Sequence, residues 1–250
     1  MKSLLLCGVL VASGAARAQT VTITTSMAAL YRPGSDTTTA PFYLTKGNEV
    51  TLLSADHPLW AQVARGGKTY FTRRQNVGLS PIPYALIPLT VLAAIPREPG
   101  TGKVHYTAVG TVDGLARDAL YLRAKTWAIN AFYSPKDVIS TEEQDVGIII
   151  CKGFSEETIR FQGARSRQRL YFTVQVSVKE GRYKYDFSDF SFQPADNEMG
   201  HVPVEPYVAA AYNAAGRPNY EAMEFARALL AKAARLEATV KTAMQRGDEW

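Results

Sequence analysis

A thiol and an imidazole are the pair with the most direct chemical consequence in this chain. Cys151 precedes His201 by fifty residues. A cysteine at a helix start, within hydrogen-bond reach of an imidazole, is the arrangement that yields a nucleophilic thiolate. The local sequence does not supply that helix. Ile148-Ile149-Ile150-Cys151 is a β-branched run ending in Lys152-Gly153, with no apolar helical stretch after it. Cys151 is therefore expected as a half-buried thiol at a strand end.

Metal ligation needs clustered donors. His57, His105 and His201 are isolated, with no Cys, His or carboxylate at a usual ligand spacing. Asp186, Asp189, Asp196 and Glu198 form a loose acidic stretch without the regular spacing and sixth-position glycine of a calcium loop. A phosphate-binding glycine loop, a GxSxG elbow and a catalytic carboxylate motif are missing too. Neither a metal nor a cofactor is expected, and the chain reads as a non-enzyme. Its clearest charge signal is basic: Arg160, Arg165, Arg167, Arg169, Lys179, Arg182 and Lys184 stand against Glu180 alone. Gly163 to Arg169 reads as a hairpin tip. Arg165, Arg167 and Arg169 there are either solvated or candidates for holding an envelope polyanion or an acidic protein face.

What must position these groups is an ordinary globular chain. Of 250 residues, 46% are hydrophobic and 20% charged, which excludes disorder, collagen and coiled-coil rods. Residues 1–18 have a charged start, the apolar run Leu4 to Ala12 and the small-x-small Ala16-Arg17-Ala18, the pattern of an export signal cleaved after Ala18. Leu6 before Cys7 makes a poor lipid-attachment site. Without Lys2 and Arg17 the 28 basic side chains become 26 against 23 acidic ones, so the formal +5 becomes +3. An exported chain with so small a charge is not expected to bind nucleic acid. Cys151 is then the only cysteine, which rules out an internal disulfide. No apolar run of the mature chain approaches the roughly 18 to 20 residues of a membrane span, and the localisation expected is periplasmic or secreted.

Two domains are expected. Residues 21–78 carry short strands at Val21 to Thr24, Met27 to Tyr31, Glu49 to Ser54, Trp60 to Ala64 and Lys68 to Thr72, separated by Lys46-Gly47-Asn48 and Gly66-Gly67. Residues 79–102, with Pro81, Pro83, Pro88, Pro96 and Pro99, form a connector apolar enough to pack over a domain. Residues 103–247 read as α+β. A strand over Val104 to Val112 leads to a helix over Leu115 to Tyr133, capped by Asp113 and stopped at Ser134-Pro135. Strands follow over Val138 to Thr141 and Val146 to Cys151. Phe172, Val174, Val176 and Val178, then Tyr183, Tyr185 and Phe187, alternate with polar residues about Glu180-Gly181, a hairpin with one buried and one wet face. A last helix spans 219–247, capped by Asn219 and ended by Gly247, with Ala226, Leu229, Ala233, Leu236, Val240 and Met244 as its stripe.

These blocks resemble known families. Ala29 to Gly34, Leu44 to Leu53, Trp60 to Val63 and Gly67 to Phe71 look like a bacterial SH3-like domain. The resemblance implies an all-β barrel whose ligand groove Tyr31, Trp60 and Tyr70 often line. SH3-like domains often precede envelope cysteine peptidases, but that family carries an aspartate where this chain has Ile150. Val109 to Val112, Leu120 to Trp127, Ser134 to Ile139, Val146 to Gly153 and Phe172 to Phe187 resemble the bacterial domain of unknown function family 4468. That family has a TBP-like fold, here an antiparallel sheet with two helices, and no assigned activity. The expectation is a non-enzymatic exported binding protein of the bacterial envelope, meeting an envelope protein or polyanion through its wet sheet face, its basic tip or its aromatic groove. The alternatives are an envelope cysteine hydrolase using Cys151, or a structural subunit of an envelope assembly.

Overall fold

Short apolar runs separated by turns become strands in the first part of the chain, because each run is just long enough to pair with its neighbour. The structure, a computed structural model, describes residues 19–32, 42–55, 57–132, 139–161, 164–194 and 200–245. The expected export segment 1–18, the Ser134-Pro135 stop, Asp196, Glu198 and Gly247 lie outside the described residues. Two compact units divide between Tyr84 and Ala85.

In the first unit, six strands follow one another: β1 (Gln19–Thr22), β2 (Met27–Leu30), β3 (Phe42–Thr45), β4 (Glu49–Ser54), β5 (Trp60–Arg65) and β6 (Lys68–Arg73). They form a four-stranded sheet in the order β1-β4-β5-β6 and a separate β2-β3 ladder. Ile23, Ala28, Leu30, Leu44, Val50 and Val63 bury themselves in one core between them. Among the described residues the expected closed barrel does not form. The ladder meets the sheet, among those residues, at the Tyr31–Phe71 bridge, with backbone bonds of 2.9 and 2.8 Å, and where Thr72 Oγ1 donates to the Ala29 carbonyl at 2.8 Å. Strands of four to six residues leave little length for the tilt and stagger that full closure demands.

The proline-rich connector is divided between the units. Ile82 N–H donates to the Pro58 carbonyl at 3.1 Å, and Arg74 Nε to the Ser80 carbonyl at 2.7 Å. From Ala85 onward the chain packs with the second unit: Tyr212 Oη donates to the Ile87 carbonyl at 2.9 Å, and a single helical turn, α1 (Leu89–Ala93), starts directly after Pro88. Pro88 fits there because a helix start has no use for its missing N–H. Ile87, Leu92 and Ile95 are buried, which explains why the connector is apolar.

The second unit continues with β7 (Tyr106–Thr111), α2 (Arg117–Asn130), β8 (Ile139–Glu143), β9 (Ile148–Phe161), β10 (Ala164–Lys179), β11 (Arg182–Pro194), β12 (Val202–Pro203), α3 (Val204–Ala210) and α4 (Tyr220–Gln245). The sheet runs β12-β11-β10-β9-β8, with β7 also paired to β11. β10 and β11 meet at a two-residue turn, Glu180-Gly181, where Gly181 takes φ +67. Leu170, Phe172, Val174, Val176 and Val178 are buried on one face of β10. On β11 the buried apolar residues are Tyr183, Tyr185 and Phe187, and then Phe190 and Phe192. Their parity switches because β11 carries one extra residue: Thr173 pairs with Ser188, but Tyr171 pairs with Ser191. Asp189 takes φ 55 in this bulge and its carboxylate accepts from Thr173 Oγ1 at 3.1 Å.

Helices cover that buried face. Trp127 of α2 packs on Phe187 with ring centroids 6.0 Å apart and donates from Nε1 to Thr239 Oγ1 at 3.0 Å, tying α2 to α4. Phe225 of α4 sits between Phe192 and Tyr207, and Tyr185 Oη donates to Glu237 at 2.9 Å. The expected stripe of α4, from Ala226 to Met244, is buried, and Asn219 Oδ1 accepts from the Ala222 amide at 3.3 Å as its cap. The expected cap of α2 is corrected: Asp113 lies before the helix, and the Arg117 amide donates to Glu180 at 3.0 Å from the β10–β11 turn. A carboxylate brought in from another turn stabilises a helix start as well as a local one does.

Two substitutions test this packing. Trp127→Ala removes a buried indole and its hydrogen bond, and is expected to cost about 3 to 5 kcal/mol in chemical denaturation. An unchanged unfolding midpoint would place the α2 stripe in water. Gly110 faces Tyr183 across the β7–β11 ladder, and a Cβ there would stand 2.4 Å from the tyrosine ring. Gly110→Ala is expected to destabilise by about 1 to 3 kcal/mol, because the ring must leave its buried position; equal stability would mean that Tyr183 moves freely.

Candidate binding face of the sheet

Period-two geometry gives the sheet of the second unit an opposite face, carrying Arg165, Arg167, Arg169, Tyr171, Thr173 and Gln175 from β10. The candidate arginines do not occupy a hairpin tip as expected; all three lie within β10. From Arg165 to Arg169 both faces of β10 are polar, so the alternation that marks a strand is absent there. Arg165 and Arg167 are exposed, and Arg169 is half-buried.

Arg169 begins a column of stacked groups. Its Cζ lies 5.0 Å from the centre of the Phe154 ring of β9. Phe154 packs on Tyr171 at 5.2 Å, and Tyr171 on His201 at 4.2 Å. Tyr171 Oη donates to Gln193 Oε1 at 3.0 Å, and Ser191 Oγ lies 3.4 Å from His201 Nδ1. Arg169 Nε is buried with no hydrogen-bond partner among the described residues. A guanidinium braced against an aromatic face keeps a fixed plane, the geometry that suits bidentate contact with a carboxylate, sulfate or phosphate.

Further along the same face, a recess of about 320 Å³ holds His105, Asp186, Lys184, Lys103 and Asp189. His105 Nε2 stands 3.1 Å and Lys184 Nζ 2.9 Å from Asp186 Oδ1. Asp186 Oδ2 is buried and unpartnered among the described residues. Sequence reasoning missed this group. His105 and Asp186 lie 81 positions apart and meet because β7 pairs with β11 in the register Asp186 to Thr107; no local pattern signals that.

The remaining candidates are dispersed. In the first unit, Tyr31 and Trp60 make an edge-to-face pair at 5.5 Å, with the Arg73 guanidinium 4.2 Å from the Trp60 ring. Tyr70 lies apart from them, in the core and edge-on to Phe42 at 4.8 Å. Trp60 is itself buried. His57 Nδ1 accepts from the amides of Leu59 and Trp60 at 3.1 and 3.2 Å and so holds a turn. In the second unit, Cys151 is fully buried on the helix-covered face of β9 rather than half-buried at a strand end. β9 runs on for ten residues beyond it, to Phe161. Burial pushes its thiol up to about 11, and the Glu142 carboxylate acts in the same direction. His201 lies against Tyr171 on the other face, so the structure does not bring thiol and imidazole together. Among the described residues no three His, Cys, Asp or Glu side chains cluster as metal ligands do.

No curated protein matches this chain. Among solved structures, a DUF4468 family protein from Bacteroides ovatus is similar over 63% of this chain and 94% of its own, at 16% identity and a TM-score of 0.51. A TBP-like protein from Parabacteroides distasonis is similar over 62% of this chain and 99% of its own, at 15% identity and a TM-score of 0.49. At such identity the first likeness speaks for the fold alone. The antiparallel sheet and its covering helices agree with a TBP-like fold, and residues 106–193 match the model of DUF4468, a domain of unknown function with TBP-like fold.

Proposed function

We propose that this protein is a non-enzymatic binding protein of the bacterial envelope, exported by residues 1–18 to the periplasm or beyond. Its TBP-like domain holds an anionic partner, an envelope polyanion or an acidic protein face, on the open face of its sheet. The observation that carries the reading is the column from Arg169 through Phe154 and Tyr171 to His201. It fixes one cation, and Arg165 and Arg167 extend the positive charge along the same strand face. Exposed cations in a row attract an extended anion through additive, screened Coulomb terms, without any specific pocket. A modest formal charge outside the signal, with three arginines in one strip, fits a protein that meets a local acidic surface better than one that coats nucleic acid.

The first unit is, in this reading, an SH3-like module. Support comes from its six short antiparallel strands around one core and from the Tyr31–Phe71 bridge that joins its ladder to its sheet. Its Tyr31, Trp60 and Arg73 cluster offers a second, smaller contact of the same cation-and-ring type. Among the described residues no helix is long and apolar enough to cross a membrane.

Arg165→Ser with Arg167→Ser is expected to reduce retention on immobilised dextran sulfate at low salt while shifting stability by less than about 0.5 kcal/mol. Wild-type retention should collapse with added salt, as the screening length falls from about 10 Å at 0.1 M to about 3 Å at 1 M. Arg169→Ser should cost more stability, because it uncovers the Phe154 ring and forfeits a contact worth about 0.5 to 1 kcal/mol. Equal retention of the double variant and the wild type would remove the strip as a binding surface. The hydrolase alternative has its own test in a Cys7→Ser chain. With the thiol held at about 11, roughly one in ten thousand is ionised at neutral pH. Iodoacetamide should then label Cys151 at an appreciable rate only after denaturation. Fast native labelling with a depressed pKa would return the thiol to candidacy as a nucleophile.

A further inference from the structure

On the covered side of the sheet, residues of α2, α4 and β9 line an open cleft of about 850 Å³. That is within the range of ordinary small-molecule sites. Trp127, Phe132 and Leu236 give it an apolar floor, and Leu122 and Ala238, both exposed, stand at its rim. Lys232 lies in this wall. It belongs to the buried stripe of α4, between Leu229 and Leu236, and is about nine-tenths buried.

A lysine at such a position is anomalous, because an ammonium withdrawn from water must recover its hydration from partners. Lys232 recovers little. Its Nζ makes one long hydrogen bond among the described residues, 3.3 Å to the Ala131 carbonyl, and stands 4.9 Å from the Phe172 ring. Burial holds the ammonium below the usual lysine range; Arg235 acts in the same direction and Glu157 against it. Two more cations line the cleft, Arg235 and Arg123, the latter donating to the Met244 carbonyl at 2.9 Å. Glu156 is the one acid among the lining residues described. The cleft thus pairs an apolar floor with an excess of positive charge, and its deepest cation has donor capacity to spare.

We propose that this cleft is a binding site for an amphipathic organic anion, an acyl or aryl body laid on Trp127 and Phe132 with its carboxylate head on Lys232. The site uses none of the residues of the Arg169 column or of the basic strip, and the two readings stand or fall separately. An anion on Lys232 supplies a direct ion pair where Glu157 acts only through space, and the ring floor takes up the apolar body.

Sodium dodecanoate below its micellar concentration, titrated calorimetrically into the full chain, tests the site. Saturable binding is expected, at least about tenfold tighter than that of dodecyltrimethylammonium, which has the same tail and the opposite charge. Lys232→Gln should weaken dodecanoate binding by at least about tenfold, the effect of losing one charge-assisted contact. Because Lys232 is buried, a second variant guards against misfolding: Ala238→Trp, at the exposed rim, should block the cleft to the same extent with an unchanged thermal transition. Arg165→Ser with Arg167→Ser should bind dodecanoate as the wild type does. Equal affinity for the two head groups, full binding by Lys232→Gln or by Ala238→Trp, or no binding of dodecanoate at all would overturn the proposal.

Discussion

The second unit depends on one requirement: a single face of a twisted antiparallel sheet must stay apolar along the β10–β11 hairpin from Leu170 to Phe192, because α2 and α4 lie across it. Strand geometry sends successive side chains to opposite faces, and a one-residue slip would turn a whole run inside out. β10 meets the requirement by strict alternation from Leu170 to Val178. β11 cannot do so with Tyr183, Tyr185, Phe187, Phe190 and Phe192 unless its parity changes after Phe187. The bulge at Asp189 makes that change, with φ 55 and a side-chain bond from Thr173. Asp tolerates this left-handed conformation better than most residues, which suits it to the position.

Fixing one face fixes the other. Once Phe172 and Val174 point at the helices, Tyr171 and Thr173 must point away, and so must the arginines in step with them. The cation-and-ring column is thus a by-product of the same alternation that builds the core. Separating the faces also decides which chemistry can be assembled. Cys151 is committed to the helix side by the parity of β9, whereas His201 reaches Tyr171 on the open side. Lys232 shows the converse case, a charged group drawn to the covered side because its helix position faces that way.

The turn between β10 and β11 acts beyond its own hairpin. Glu180 accepts the Arg117 amide, the Leu115 carbonyl accepts the Gly181 amide at 3.0 Å, and the Gly181 carbonyl accepts the Val112 amide at 2.8 Å. The start of α2 is therefore set by the hairpin end rather than by the residues before the helix. Trp127 then falls over Phe187, and residues of α2, α4 and β9 line the cleft.

Much of the architecture was legible from local pattern. The alternation of Phe172 to Val178 and of Tyr183 to Phe187, the stripe of α4 and its Asn219 cap each depend on geometry within one element, so residue type and spacing suffice to read them. The outer half of β10 was not legible, because from Arg165 to Arg169 neither face is apolar, and in β9 only Ile159 is buried beyond Cys151 among the described residues, too little to mark a period. What tertiary structure alone decided is every meeting across elements: Asp186 with His105, Arg169 with Phe154, Glu180 with Arg117, Lys232 with Ala131. Such contacts depend on strand register and on where intervening turns return the chain. A bulge of one residue is enough to change them, and no short-range periodicity encodes it.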